Sequence, residues 1–204
     1  MKKLFLASSF SDVVNIFESV HCELKGKTVT FIPTASLVEE FTFYVDSGMK
    51  LLENLGLIVD NLEISTATSD EIEDKLKNND FIYVTGGNTF FLLQELKRTG
   101  ADKIIVEEVN SGKLYIGESA GAIVASADIE YAQKMDSVEE APHLKNYSAL
   151  GLVDFYTVPH YNSVPFEKAA QSIIDTYEAT LNLIPISNEG AIWVQGDKMQ
   201  IHGK

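Results

Sequence analysis

The sequence predicts an α/β protein with three layers, a doubly wound and mostly parallel sheet, and an antiparallel extension at its C-terminal end. Short β-rich runs alternate with helical patterns over the first two thirds of the chain, which is typical of right-handed βαβ units. After about residue 180 the spacing shortens to three strand-like runs separated by turn signals. Such spacing favours antiparallel pairing at a sheet edge.

The elements follow from apolar periodicity and from capping and turn residues. Strands are predicted over residues 3–7, 28–33, 58–64, 81–85, 114–116, 155–159, 183–187, 191–195 and 198–202. Helices are predicted over residues 11–24, 37–55, 70–79, 89–97 and 122–127. There is no linker or internal repeat, so we expect a single domain spanning residues 1–204.

Length and composition narrow the functional class. The chain has 204 residues, of which 45% are hydrophobic and 23% charged, and these are ordinary values for a globular domain. The formal net charge of −14 repels phosphate backbones and anionic membranes, so we expect neither nucleic acid nor membrane as a partner.

The single cysteine fits a reducing compartment, and the N-terminal run is expected to be a first strand. The apolar run after Lys3 is too short for a secretory signal, and no run approaches the roughly 20 residues of a membrane helix. Cys22 is the only cysteine and is expected to be a buried thiol. We therefore expect a cytoplasmic monomer or homodimer without metal or cofactor.

The motif with the clearest chemical meaning is Gly117-Glu118-Ser119-Ala120-Gly121, a G-x-S-x-G that follows the apolar run at 114–116. A nucleophile elbow requires a strand before the serine and a helix after it, and both are predicted here. The helix N-terminus then favours negative charge developing near Ser119. A helix-capping serine in a glycine-rich turn is the alternative.

A second glycine-rich turn, Thr85-Gly86-Gly87-Asn88-Thr89, follows the predicted strand at 81–85. Backbone N–H groups at the carboxyl end of a parallel strand are placed to bind an oxyanion. A phosphate site is the rival interpretation, but the Walker pattern and the G-x-G-x-x-G pattern are both absent.

A serine nucleophile needs a base, and His160 is the best placed of four histidines because it ends the predicted strand at 155–159. The third member should be an acid that orients the imidazole. Glu189, in a turn after a predicted strand, and Asp136, 17 residues after Ser119, are both candidates. Asp154 lies at the start of the His160 strand and is less well placed.

These motifs together resemble the peptidase E family, which comprises aspartyl dipeptidases and, more distantly, cyanophycinases. The resemblance is carried, in order, by Gly86-Gly87-Asn88-Thr89-Phe90, by the run 117–122, by Pro159-His160-Tyr161 and by Glu189-Gly190. It implies a fold like that of the class I glutamine amidotransferases and hydrolysis of short peptides.

The resemblance also implies roles for individual residues. Ser119 would be the nucleophile, His160 the base and Glu189 the orienting acid, with Asp136 in reserve. The backbone N–H groups of Gly87 and Ala120 would form the oxyanion hole, with Asn88 nearby.

One departure from the family pattern concerns specificity. The aspartyl dipeptidases carry arginines downstream of the histidine, whereas residues 164–180 contain no arginine and only Lys168 as a cation. A lysine does not replace a two-pronged arginine clamp for a carboxylate. We therefore expect little preference for aspartate. An esterase or amidase with the same machinery and a non-catalytic binding module of the same fold are the alternatives.

Overall fold

The main sheet has seven strands in the computed structural model, which describes residues 1–21 and 23–203. Cys22 lies outside these residues, so its predicted burial stays a prediction. Five parallel strands make up most of the sheet: β1 (Lys3–Ala7), β2 (Thr28–Ile32), β3 (Ile58–Asn61), β4 (Phe81–Val84) and β5 (Leu114–Glu118). The strand order β3-β2-β4-β5-β1 places the ends of β4, β5 and β1 side by side.

The antiparallel extension is a hairpin formed by two C-terminal strands, β8 (Ala191–Gln195) and β9 (Lys198–His202). β8 pairs antiparallel with β1, so the hairpin continues the sheet at one edge. The predicted mostly parallel α/β sheet with an antiparallel extension is thus confirmed.

Helices cover both faces of the sheet. One face carries α1 (Phe10–Val20) and α2 (Phe43–Asn54). The other carries α3 (Ser69–Asn78), α4 (Thr89–Thr99), α5 (Ala101–Ser111), the short α6 (Ala120–Ile123) and α7 (Glu167–Tyr177). None of the helices in the described ranges is long and apolar enough to span a membrane.

Two apolar cores follow from the alternation of side chains along the strands. In β1, Leu4 and Leu6 belong to the core beneath α3–α6, whereas Phe5 belongs to the core beneath α1 and α2. All three side chains are fully buried. Each such burial contributes about 1.5–3 kcal/mol to folding, so the central strands are firmly held on both faces.

Several helical predictions differ from the structure. The helix predicted over 37–55 is divided into a 3-10 turn at Thr34–Val38 and α2, and the segment between them carries the exposed side chain of Phe41. The helix predicted over 122–127 is only the short α6, and both α5 and α7 are absent from the predicted helices. Gly100 adopts a left-handed conformation that ends α4 and begins α5.

A separate two-stranded sheet contains β6 (Tyr156–Val158) and β7 (Leu183–Pro185), which pair in parallel. The strand predicted just before His160 is thus present as β6, but it belongs to this small sheet and not to the main one. The assignment of 183–187 to the antiparallel tail is wrong. The reason is α7, which connects β6 to β7 as a crossover helix and so allows parallel pairing.

Candidate active site

Ser119 lies on a sharp turn between β5 and α6, with φ 48° and ψ −104°. Such a backbone conformation is unfavourable for a residue with a side chain, by about 1–3 kcal/mol. The turn is held by the Ser119 N–H, which donates to the Ala7 carbonyl at 2.8 Å. It is also tightly packed, because a Cβ on Gly121 would lie 2.3 Å from the Val84 carbonyl oxygen. Ser119 is therefore held in a strained strand-to-helix turn.

His160 reaches the serine from the loop after β6. Its Nε2 lies 2.9 Å from the Ser119 hydroxyl oxygen, so the structure brings the two predicted residues together. Two contacts place the histidine: its backbone N–H donates to the Ser8 hydroxyl at 3.0 Å, and its ring stacks on Phe166 with centroids 5.0 Å apart. The Ser8 hydroxyl in turn donates to the Ile186 carbonyl next to β7.

The partner of the second imidazole nitrogen is an asparagine. Nδ1 of His160 lies 2.7 Å from Oδ1 of Asn188, and donation from Nδ1–H leaves Nε2 free to accept the Ser119 hydroxyl hydrogen. The expectation that Glu189 faces this nitrogen is corrected by the structure. Glu189 is exposed, and its backbone N–H donates to the hydroxyl of Ser187, two residues earlier in the chain.

Burial lowers the pKa of His160 below its usual 6.5, and the hydrogen bond that Nδ1–H donates to Asn188 opposes this shift only in part. A neutral amide accepts the Nδ1–H bond but supplies no negative charge to stabilise the imidazolium. The histidine is therefore neutral near pH 7, which is the form that a general base requires.

Asp136, the reserve acid, occupies a different place. Its Oδ2 accepts the Thr89 backbone N–H at 3.0 Å and also the Thr89 hydroxyl. Burial raises the pKa of this carboxyl to about 6, although the two Thr89 bonds oppose the shift. Asp136 thus caps the start of α4 instead of orienting His160, and both predicted acids are replaced by Asn188.

The glycine turn after β4 faces Ser119. Gly87 has φ 128°, and a Cβ there would lie 2.2 Å from the Ala35 carbonyl oxygen, so only glycine fits. Within the described part of the chain, the backbone N–H groups of Gly87 and Ala120 have no hydrogen-bond acceptor. Free backbone N–H groups in the turns next to a serine nucleophile are suited to bind an oxyanion.

Asn88 lines the cavity, but its hydrogen bonds mainly stabilise the turn. Its backbone N–H donates to the Ala35 carbonyl, its Oδ1 accepts the Phe91 N–H, and its amide group donates to the Ser137 carbonyl. Asn88 therefore lies next to Gly87, as expected, but its polar groups are used in hydrogen bonds within the protein that stabilise the loop.

Glu118, the variable residue of the G-x-S-x-G motif, ties the elbow to its surroundings. Its carboxylate accepts the Phe10 N–H at 2.8 Å, the Tyr83 hydroxyl at 2.9 Å and the Gly86 N–H. Burial raises the pKa of Glu118, against the effect of these three donors. Sequence reasoning missed Glu118, Ser8 and Asn188. For Glu118, the available signal in the sequence was its place as a charged residue directly after an apolar run.

A cavity of about 850 Å³ opens above Ser119. Its lining includes five carboxylates and none of the lysines or arginines in the described ranges; the acids are Asp12, Glu39, Glu118, Asp136 and Glu140. Two cations near the site in sequence, Lys168 and Arg98, are absent from the lining. Lys168 is exposed on α7, and Arg98 pairs with Glu95 at 2.6 Å.

The sequence model of Peptidase family S51 matches residues 4–202. The chain belongs to this family. It is therefore a peptidase, and the serine type that characterises the family agrees with the presence of Ser119 on its strained turn beside His160.

Relatives of this S51 peptidase cover from 85% to all of the chain. An uncharacterized peptidase of Listeria monocytogenes is 60% identical, covering 98% of this chain and 97% of its own. One from Pasteurella multocida is 53% identical, covering 100% and 98%. Peptidase E of Shewanella amazonensis is 31% identical over 85% of this chain and 73% of its own.

Solved structures agree with the fold. A Listeria monocytogenes protein provisionally assigned as a peptidase E superposes with a TM-score of 0.96 at 59% identity, covering 99% of this chain and 98% of its own. A peptidase from an acI-B1 Actinobacterium superposes with a TM-score of 0.75 at 23% identity, which supports the fold alone.

Proposed function

We propose that this S51 peptidase hydrolyses short peptides through an acyl-enzyme on Ser119, with His160 as base and Asn188 as the residue that positions the imidazole. The observation that carries the proposal is the chain of two hydrogen bonds, 2.9 Å from Ser119 to His160 and 2.7 Å from His160 to Asn188. Its geometry matches a nucleophile, base and orienting residue acting in series.

In the first half of the reaction, the Ser119 oxygen forms a bond to the peptide carbonyl carbon and its proton passes to Nε2 of His160. The carbonyl electron pair moves to oxygen, where the N–H groups of Gly87 and Ala120 stabilise it. Collapse of this intermediate breaks the C–N bond, and His160 returns the proton to the leaving amine.

In the second half, water replaces the amine. Nε2 of His160 takes a proton from the water as its oxygen attacks the ester carbonyl, and the proton then returns to the Ser119 oxygen as the C–O bond breaks. Asn188 keeps Nδ1 protonated in both halves. The same side chain therefore serves as base and then acid without rotating.

The cavity supports peptides without an N-terminal aspartate as substrates. A carboxylate leaving water needs fixed positive charge or several donors, and the described lining supplies acids instead. We further propose a single hydrolytic domain, a cytoplasmic location and a fold of the glutamine amidotransferase-like class. The parallel sheet with a nucleophile elbow at the end of β5 supports that class.

The test is a panel of dipeptides matched with the corresponding amino-acid esters, assayed with the wild type and with Ser119→Ala. We expect hydrolysis of peptides that disappears in the variant, while its circular dichroism spectrum is unchanged. Serine-dependent cleavage of esters without any peptide cleavage would contradict the proposal and indicate an esterase.

A further inference from the structure

Glu118 directly precedes Ser119 and carries a buried carboxylate that the proposed reaction does not use. It accepts hydrogen bonds from the Phe10 N–H at 2.8 Å, the Tyr83 hydroxyl at 2.9 Å and the Gly86 N–H. A carboxylate removed from water is costly unless donors replace the water, and an ionised carboxyl has only acceptors to offer them. These donors belong to the start of α1 and to β4 with the turn that follows it, and both segments lead to the candidate active site.

The first of these connections leads to the turn that carries the Gly87 N–H. Gly86 donates to Glu118 from the position directly before Gly87, and Asn88 on the other side donates its N–H to the Ala35 carbonyl at 2.8 Å. The Gly87 N–H, which has no acceptor in the described part of the chain, thus lies between two anchored residues. The turn is packed on the nucleophile, because a Cβ on Gly86 would lie 3.2 Å from the serine Cβ.

The second connection leads to the turn between β1 and α1. Phe10, whose N–H donates to Glu118, lies two residues after Ser8. The Ser8 hydroxyl accepts the backbone N–H of His160 at 3.0 Å, and the carbonyl of Ala7 accepts the backbone N–H of the nucleophile at 2.8 Å. The turn that Glu118 holds is therefore in contact with both the base and the serine.

Tyr83 holds the carboxylate itself in place from β4. Its ring stacks on Phe31 with centroids 5.1 Å apart, and it meets the ring of Phe10 edge-on at 5.2 Å. A Cβ on Gly48 of α2 would lie 3.1 Å from the Tyr83 hydroxyl oxygen. Close packing around this ring fixes the direction of its hydroxyl and so the position of the Glu118 oxygen that accepts it.

We propose that Glu118 is a positioning residue, which holds the Gly87 turn and the β1–α1 turn against Ser119 so that the oxyanion donor and His160 are aligned before the substrate binds. It acts through its three donors and not on the reacting atoms. The inference rests on the proposed function, because it gives Glu118 a part in hydrolysis at Ser119. Preorganised donors stabilise the transition state more than the bound substrate, so disturbing Glu118 lowers kcat and leaves KM nearly unchanged.

The variant Glu118→Gln tests this with little change of shape. Its amide offers N–H where the carboxylate offers a second oxygen, so at least one of the three hydrogen bonds is lost or reversed. On one peptide substrate we expect kcat to fall at least about tenfold, with KM within about threefold of the wild type. The second-order rate of fluorophosphonate labelling at Ser119 should fall by a similar factor, because the attacked phosphoryl group uses the same oxyanion donors.

Asp80→Asn is the matched control. Asp80 accepts the Thr28 N–H, the Thr28 hydroxyl and the Lys27 ammonium group, and it precedes β4 at the end opposite Gly86. This variant should lower the free energy of unfolding in urea, while kcat and the labelling rate stay within about twofold of the wild type. An equal loss of kcat in Asp80→Asn, a smaller loss than tenfold in Glu118→Gln, or a loss explained by KM alone would overturn the inference.

A further measurement needs only the wild type, so it applies even if Glu118→Gln does not fold. Amide hydrogen exchange followed by NMR should show protection at Phe10 and Gly86, the two backbone donors to Glu118. Exchange of the Gly86 amide as fast as in an unstructured peptide would also overturn the inference. Failure of the proposed function is distinct: a wild type labelled at Ser119 that cleaves no peptide would contradict that function, while the labelling rates would still test Glu118.

Discussion

Asn188 accepts a hydrogen bond from His160 at 2.7 Å, at the position where many serine hydrolases carry a carboxylate. The amide fixes the tautomer of the imidazole as an acid would. It cannot, however, stabilise the imidazolium by charge, and burial already disfavours that form. The site therefore contains a weak base that is neutral near pH 7.

Replacing Asn188 by aspartate tests this relationship through the pH profile. A carboxylate beside Nδ1 favours the imidazolium, so Asn188→Asp should raise the apparent pKa of the acidic limb of kcat/KM by about one unit. In the wild type that limb should lie below pH 6.5, because protonation of His160 removes the base. An acidic limb at the same pH in both enzymes would contradict a role for residue 188 beside the imidazole.

Glu189 should contribute little to catalysis. Its side chain is exposed, whereas its neighbour Asn188 holds the imidazole. We expect Glu189→Gln to keep kcat/KM within about threefold of the wild type and Asn188→Ala to lower kcat at least tenfold. Steady-state kinetics on one peptide substrate measure both effects. A loss of kcat/KM in Glu189→Gln well beyond threefold would show that Glu189 takes part in catalysis.

Asp136 should make stability depend on pH. Burial raises its pKa to about 6 from an ordinary 3.8, so the folded state favours the protonated carboxyl and loses stability as pH rises through this range. Asn at this position does not ionise. The stability of Asp136→Asn relative to wild type should therefore increase by roughly 2 kcal/mol between pH 4 and pH 7. Urea denaturation of both proteins at pH 4 and pH 7 measures this difference in unfolding free energy. The same difference at both pH values would contradict a raised pKa of Asp136.

N-terminal aspartate should bring no advantage. The cavity is lined by acids, and Arg98 is held by Glu95. Aspartyl and asparaginyl dipeptides should therefore differ by less than about tenfold in kcat/KM, with the aspartyl peptide the slower. An aspartyl substrate cleaved more than about a hundredfold faster, or about 2.7 kcal/mol better in transition-state binding, would reveal a carboxylate site.

The parts of the fold that sequence predicts well are those with a local cause. β1 and the elbow at Ser119 follow from apolar runs and from glycines that permit close contact. Long-range pairing has no such local signal. The run at 183–187 looked like part of the C-terminal hairpin because only the crossover through α7 decides that β7 pairs with β6.

The site shows the same division. Ser119 and His160 could be predicted because a motif and a strand end mark them. Asn188 could not, because an asparagine in an Asn-Glu-Gly turn serves the turn equally well. Its role depends on the Ser8 and Phe166 contacts that turn the imidazole towards it.

The central claim is that Ser119 is a nucleophile activated by His160. Labelling with a fluorophosphonate probe, followed by peptide mapping by mass spectrometry, tests it most directly, because the probe reacts with activated serines and needs no knowledge of the substrate. We expect one adduct, on Ser119, in the wild type and at least tenfold slower labelling in His160→Ala. Labelling of another serine with Ser119 unmodified, or equal rates in the two proteins, would contradict the account.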